Sequence, residues 1–223
     1  MATISIRAVF DPTCPWCYVG SVRLMRAIDA YRRAISSSDK INIVWHSYQI
    51  EPEAVTQPLM EKMASKFGRE QLPRMQEQLV AMGKRDSIKL SFKSTVGNTR
   101  DAHRLVQFTK SKQGTETEQL STRLVMEIMK LYFEEGGDIT SFKDLGLAAE
   151  RAGIDRDEAI AWLVNGGGAG EVRREVEEAQ RMGVRGVPWY EFNGSRVLNG
   201  AAEESVFLQR LIQASDDAPT SSN

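Results

Sequence analysis

The residues best suited to chemistry are Cys14 and Cys17, the only two cysteines of the chain, set in Asp11-Pro12-Thr13-Cys14-Pro15-Trp16-Cys17-Tyr18. Two thiols at that spacing can attack a disulfide, pass through a mixed disulfide and close on one another. The pair follows Ile4-Ser5-Ile6-Arg7-Ala8-Val9-Phe10, an alternating, β-branched run that predicts a strand. Behind it, Val19 to Arg33 carries Val22, Leu24, Met25, Ile28 and Tyr31 as a helical stripe. Pro15 suits the first turn, where its missing N–H would be unpaired anyway. The dithiol is therefore expected at a strand-to-helix junction, where free N–H groups and the positive end of the helix dipole favour a thiolate. On that placement Cys14 is the exposed nucleophile, and Cys17, most of a turn further in, is the partly buried resolving thiol.

Other uses of a cysteine pair fit less well. Haem attachment needs His directly after the second cysteine, where this chain has Tyr18. A structural zinc needs four ligands, and the only histidines, His46 and His103, lie at spacings that match no compact finger. A metal-binding or redox-sensing module without turnover stays open as a non-enzyme alternative. Two inert cysteines adjacent by chance is hard to reconcile with Pro-Trp between them at a helix start.

The elements that must hold the pair can be read along the chain. Its 223 residues, 41% hydrophobic and 26% charged, are ample for a packed core and rule out wholesale disorder. A net charge of −1 offers nothing to nucleic acid or an anionic membrane. With no apolar run of spanning length and no leader-like N-terminus, the reading is a soluble cytoplasmic protein. A second strand is expected over Ile41–Ile50, giving a βαβ unit with a parallel crossover. Near the other end Trp189–Phe192 and Ser195–Leu198 flank Asn193-Gly194, the signal for a two-residue hairpin. A last helix follows over Glu203–Gln213, and the small polar tail from Ser215 is expected to fray.

Between these ends the chain is helical. Helices are expected over Leu59–Phe67, Glu70–Met82, Phe142–Ala152, Arg156–Val164 and Glu171–Met182. Another starts at Asn98, as cap, with Asp101 completing a capping box, and runs to about Lys110. An amphipathic one carries Leu120, Leu124, Val125, Ile128, Leu131 and Tyr132. Gly166, Gly167, Gly168 and Gly170 mark a loop or hinge. The nine methionines, spread through the helices, read as packing. The architecture is a split α/β domain with a mostly helical insertion.

Cys14-Pro15-Trp16-Cys17 after a first strand, a helical insertion, and Gly186-Val187-Pro188 before a hairpin resemble the DsbA-like branch of the thioredoxin superfamily. Asn98-Thr99-Arg100-Asp101-Ala102-His103-Arg104-Leu105 and Val197-Leu198-Asn199-Gly200-Ala201 resemble its FrnE-type group of dithiol–disulfide oxidoreductases and isomerases. The resemblance implies a thioredoxin-like domain from residues 1–55 and 168–213, a helical insertion over 56–167, and a disordered tail over 214–223. It also implies that Cys14 is the nucleophile, Cys17 the resolving thiol and Pro188 a cis-proline facing them, with the Val187 backbone pairing with an extended substrate. Pro15 and Trp16 would touch substrate, and Trp189 would either complete an apolar platform with Trp16 or serve as core. Asn98 and His103, on an insertion helix that faces the active site in this family, are candidate substrate contacts. Asp11 is either a proton acceptor for the resolving thiol or a solvated turn residue. His46 reads as a plain strand residue.

Three departures qualify the resemblance. Trp16 stands where secreted oxidants of the branch commonly carry His, so the thiolate should be less strongly favoured and the dithiol less oxidising. The second cysteine pair of some FrnE-like proteins is missing, and Ala202 replaces the Gln often found after Gly-Ala. The expected activity is thiol–disulfide exchange on protein or small-molecule disulfides by a monomer or homodimer, without metal or organic cofactor and with glutathione as an optional co-substrate. The alternative is a glutathione-dependent transferase or isomerase of a small apolar molecule, as in the related kappa-class glutathione transferases and hydroxychromene carboxylate isomerases.

Overall fold

The computed structural model describes residues 1–112 and 117–218. Strand β1 (Thr3–Phe10) runs into helix α1 (Pro15–Ala34), which returns to β2 (Lys40–Ser47). A short ribbon, β3 (Gln57–Pro58) with β4 (Thr95–Val96), brackets α2 (Leu59–Phe67) and α3 (Leu72–Arg85). Five helices follow: α4 (Arg100–Ser111), α5 (Thr117–Phe133), α6 (Phe142–Ala152), α7 (Arg156–Val164) and α8 (Ala169–Arg181). The hairpin β5 (Trp189–Phe192) and β6 (Arg196–Asn199) leads into α9 (Glu204–Asp216).

The main sheet has the order β2-β1-β5-β6, with β1 parallel to β2 and antiparallel to β5. Alternation along β1 sets its two faces. Ile4, Ile6, Ala8 and Phe10 point into the main core, which continues without a break through Leu105, Ile128 and Leu145 of the insertion. On the other face Val9 packs with Trp189 and with Ala179 and Val184, at and just beyond the end of α8, while Arg7 pairs with Glu178 at 2.8 Å. Each fully buried Ile or Leu contributes about 1.5–3 kcal/mol over its exposed state, so β1 anchors both layers. Arg23 fastens α1 to the end of α3 through paired bonds of 2.8 and 3.0 Å to the buried carboxylate of Asp86.

Several local expectations change. β2 stops at Ser47: Tyr48 N–H still donates to Phe10 O of β1 at 3.0 Å, but beyond it the chain turns to the dithiol loop, where Ile50 N–H donates to Asp11 Oδ2 at 2.9 Å. The β5–β6 hairpin has three loop residues rather than two, since Phe192 pairs with Arg196; Asn193 and Gly194 still take the positive φ that the turn requires. The capping box at α4 does not form. Thr99 is the cap, its hydroxyl turned to Asp11, and Asp101 bonds Arg104 instead, while Asn98 Oδ1 accepts from Arg100 N–H at 2.8 Å. The glycine run is tied down rather than free: Arg104 Nε donates to Gly167 O at 2.8 Å, and Gly170 lies inside α8. Helix α9 extends to Asp216 and Ala218 is buried, so the chain is ordered past Ser215; the remainder of the polar tail, residues 219–223, lies outside the described residues.

Candidate active site

The turn that joins β1 to α1 is built on Asp11. Its carboxylate, 1% exposed, accepts Thr13 N–H at 2.8 Å and Thr13 Oγ1–H at 2.7 Å on one oxygen, and Ile50 N–H at 2.9 Å on the other. Its backbone carbonyl takes the N–H of Cys14 at 3.1 Å. Cys14 is the cap of α1 and Pro15 its first helical residue, the position at which proline removes no bond. The Cys14 carbonyl then accepts Cys17 and Tyr18 N–H groups at 3.0 and 3.2 Å, which fixes the two thiols on one turn. Opposite them the Val187–Pro188 peptide bond is cis, and Cys14 Sγ–H donates to Val187 O at 3.6 Å.

The two sulfurs have opposite acidities. The Cys17 thiol, donating to the Cys14 sulfur, is the main reason that Cys14 ionises below the ordinary cysteine range. Burial opposes it, the N–H groups of Cys17 and Trp16 reinforce it, and the Asp11 charge works against it. Burial, and then the neighbouring Cys14, push Cys17 well above that range. A poised thiolate beside a held thiol is what a nucleophile and a resolving residue require. Cys14 is less open than its position suggested: it is 4% exposed and Cys17 0%, and Cys14 lines a cavity.

The close fit behind the dithiol depends on Gly20. A Cβ there would stand 2.7 Å from Tyr190 Oη, 3.3 Å from Pro188 Cγ and 3.4 Å from Ala201 Cα. Gly20→Ala is therefore expected to cost about 1–3 kcal/mol of stability in denaturant unfolding. Because Tyr190 Oη is buried without a hydrogen-bond partner among the described residues, Gly20→Ala combined with Tyr190→Phe should recover part of that loss. No recovery in the double variant would show that the clash lies with Pro188 and Ala201 instead.

A cavity of about 390 Å³ opens beside Cys14, lined also by Pro15, Trp16, Met63, Tyr132 and Phe133. Of the residues singled out from sequence, the structure brings Cys14, Cys17, Pro15, Trp16, Val187 and Pro188 together, with Trp16 52% exposed. It does not bring the other three. Trp189 is packed on the far face of the sheet against Val9 and Ala179, so it is core and forms no platform with Trp16. Asn98 is spent on structure, accepting from Gln49 Nε2 at 2.7 Å and donating to Pro52 O at 2.6 Å. His103 is wholly buried, its Nε2 2.9 Å from Tyr48 O and its ring edge-on to Phe10, and it does not line the cavity. Asp11 is buried rather than solvated. His46 is a half-covered strand residue whose pKa burial lowers to about 4. The cavity wall from α2, α3 and the end of α5 was not foreseen; the aromatic pair Tyr132-Phe133, ending an otherwise aliphatic stripe, was the available signal.

A four-stranded mixed sheet, a dithiol at the start of its first helix and a cis-proline facing it define a thioredoxin-fold dithiol protein. The chain belongs to the DsbA-like thioredoxin domain family, whose profile matches residues 5–212. A comparison with curated proteins yields no significant match. Among solved structures it is similar to a Streptomyces coelicolor protein described as a probable DsbA oxidoreductase, at 25% identity and a TM-score of 0.81, covering 99% of this chain and 93% of that one. At 15% identity and a TM-score of 0.64, 94% of the chain superposes on 94% of a 2-hydroxychromene-2-carboxylate isomerase. The cytosolic disulfide reductase DsbM of Pseudomonas aeruginosa shares the fold at 16% identity and a TM-score of 0.58, covering 95% of each chain. That protein also has a structure with GSH.

Proposed function

We propose that the chain catalyses thiol–disulfide exchange, with Cys14 as nucleophile and Cys17 as resolving thiol. Its family makes it an oxidoreductase, and one observation carries the finer reading: the Cys14 sulfur, its ionisation favoured while that of Cys17 is suppressed, faces the carbonyl that precedes Pro188. The Cys14 thiolate attacks a substrate disulfide, one half leaves as thiolate, and the other stays joined to Cys14. The backbone at Val187 is placed to pair with that bound half. Cys17 gives up its proton and attacks the Cys14 sulfur, which releases the second half as a thiol and leaves a Cys14–Cys17 disulfide. Oxidation of a substrate dithiol is the same path reversed. The dithiol supplies the chemistry without metal or organic cofactor, and a thiol such as glutathione closes the cycle in a reducing cytosol.

Equilibration in glutathione buffers tests this directly. A reversible two-electron transition between dithiol and Cys14–Cys17 disulfide is expected, and it should vanish in Cys14→Ser. If Cys14 only traps glutathione and no internal disulfide forms, the reading fails. The apolar cavity beside Cys14 favours a second reading, a glutathione-dependent transferase or isomerase of a small apolar molecule. That activity would survive Cys17→Ser.

A further inference from the structure

One wall of the cavity beside Cys14 is built from apolar side chains that the other described residues cover only in part. Helices α2 and α3 are amphipathic, yet among the described residues Met63 is the only buried side chain of α2 and Leu72 the only one of α3. Their main packing is with each other, the turn between them and the β3–β4 ribbon rather than the central sheet. Leu59, Met63, Phe67, Met75 and Leu79 face the cavity instead, and Phe67 and Trp16 stay 40% and 52% exposed. Large apolar groups left in water around a concave site of this size mark a place for an apolar ligand.

Charge gives the cavity a direction. Lys62 and Lys66 of α2 both pair with Glu51, Lys66 at 2.9 Å, so two ammonium groups share one carboxylate. Asp11, the other acid in the lining, sits at the dithiol end, where Thr13, Thr99 and Ile50 occupy both its oxygens. An anionic group is therefore favoured beside α2 and disfavoured beside the sulfurs.

We propose that this cavity takes small-molecule disulfides whose apolar arm ends in a carboxylate, with the sulfur at Cys14, the arm along α2 and α3, and the acid at Lys62 and Lys66. The inference rests on the thiol–disulfide reading and narrows its substrate to small amphipathic molecules. The Cys14 thiolate forms a bond to the arm's sulfur, the substrate S–S bond breaks, and the other half departs as a thiolate that takes a proton from water. Cys17 loses its proton to solvent and bonds to the Cys14 sulfur, which frees the arm as a second thiol. The substrate disulfide is the oxidant and the protein dithiol is oxidised, so one turnover needs no further reagent.

Single-turnover mixing of the reduced protein with the symmetric disulfides of mercaptooctanoic acid, mercaptooctanol and mercaptoethanol tests the proposal, read as the rate of Cys14–Cys17 disulfide formation. The octanoic acid disulfide is expected to react with a second-order rate constant about tenfold or more above that of the mercaptoethanol disulfide. Leu79→Trp, which fills the cavity, should remove that advantage, so that the octanoic acid and mercaptoethanol rates converge. Lys62→Gln with Lys66→Gln should erase the preference for the acid over the alcohol while keeping the preference for the longer arm. If Leu79→Trp does not fold, Met75→Trp fills the same space. Equal rates for the three probes, or filling variants that slow all three alike, overturn the proposal and leave thiol exchange standing. Failure of every probe to form the Cys14–Cys17 disulfide takes down both the proposal and the reading beneath it.

Discussion

Cys14→Ser is expected to lower the rate of disulfide exchange by about three orders of magnitude or more, because removing a nucleophile removes the covalent path itself. Cys17→Ala should stop the reaction one step later. Cys14 still attacks, but the mixed disulfide has no internal thiol to resolve it, so a stoichiometric adduct on Cys14 accumulates and should appear in the intact mass. The asymmetry follows from the turn geometry: Cys14 lies at the cap and faces the cavity, whereas Cys17 is fully buried behind it. A Cys17→Ala protein that turns over at the normal rate would mean that the second thiol takes no part, and would move the glutathione-dependent reading to first place.

The second large effect is expected at Asp11→Asn. Each carboxylate oxygen of Asp11 faces a backbone N–H, that of Thr13 on one side and that of Ile50 on the other. Whichever way the amide is turned, its NH₂ meets one of these donors and leaves it unpaired, which should cost about 1–3 kcal/mol in denaturant unfolding. The redox consequence has the opposite character. The Asp11 charge disfavours ionisation of both thiols and so raises both pKa values; removing it lowers both. Alkylation of Cys14 by iodoacetamide follows the thiolate fraction, and its pH midpoint should shift downward in the variant. The variant is thus expected to be less stable yet more reactive at low pH. A midpoint that does not move, or moves up, would show that Asp11 serves the turn alone.

Most of the fold was legible because its signals are local. The boundaries of α2 and α6 follow their apolar stripes, and Ser141 and Asp155 cap α6 and α7 through bonds to Asp144 N–H and Glu158 N–H. The dithiol and Pro188 were legible because their residue types have few other uses. What could not be read depends on which group wins a shared partner. Asn98 looks like a helix cap in isolation, but Gln49 and Pro52, far off in the chain, also claim its side chain. Trp189 follows the proline that faces the thiols, yet strand pairing opposite Val9 points it to the other side of the sheet. Asp11 before a proline reads as a surface turn until the 48–50 segment folds over it and donates a bond. The walls of the cavity were not legible for the same reason, since they come from α1, α2, α3 and α5, whose apolar faces reveal only that something must cover them.

The core that runs unbroken from β1 into α4–α7 leaves the insertion without an interior of its own. Sheet and insertion should then melt in one cooperative transition, and neither should fold as an excised piece. Cys17, at the start of α1, is part of that same core. By a thermodynamic cycle, the free energy by which closing the Cys14–Cys17 disulfide changes global stability equals the free energy by which folding changes the tendency of the two thiols to oxidise. Packing deep in the insertion, far from either sulfur, is thereby coupled to the redox poise of the pair whenever it favours one of the two forms.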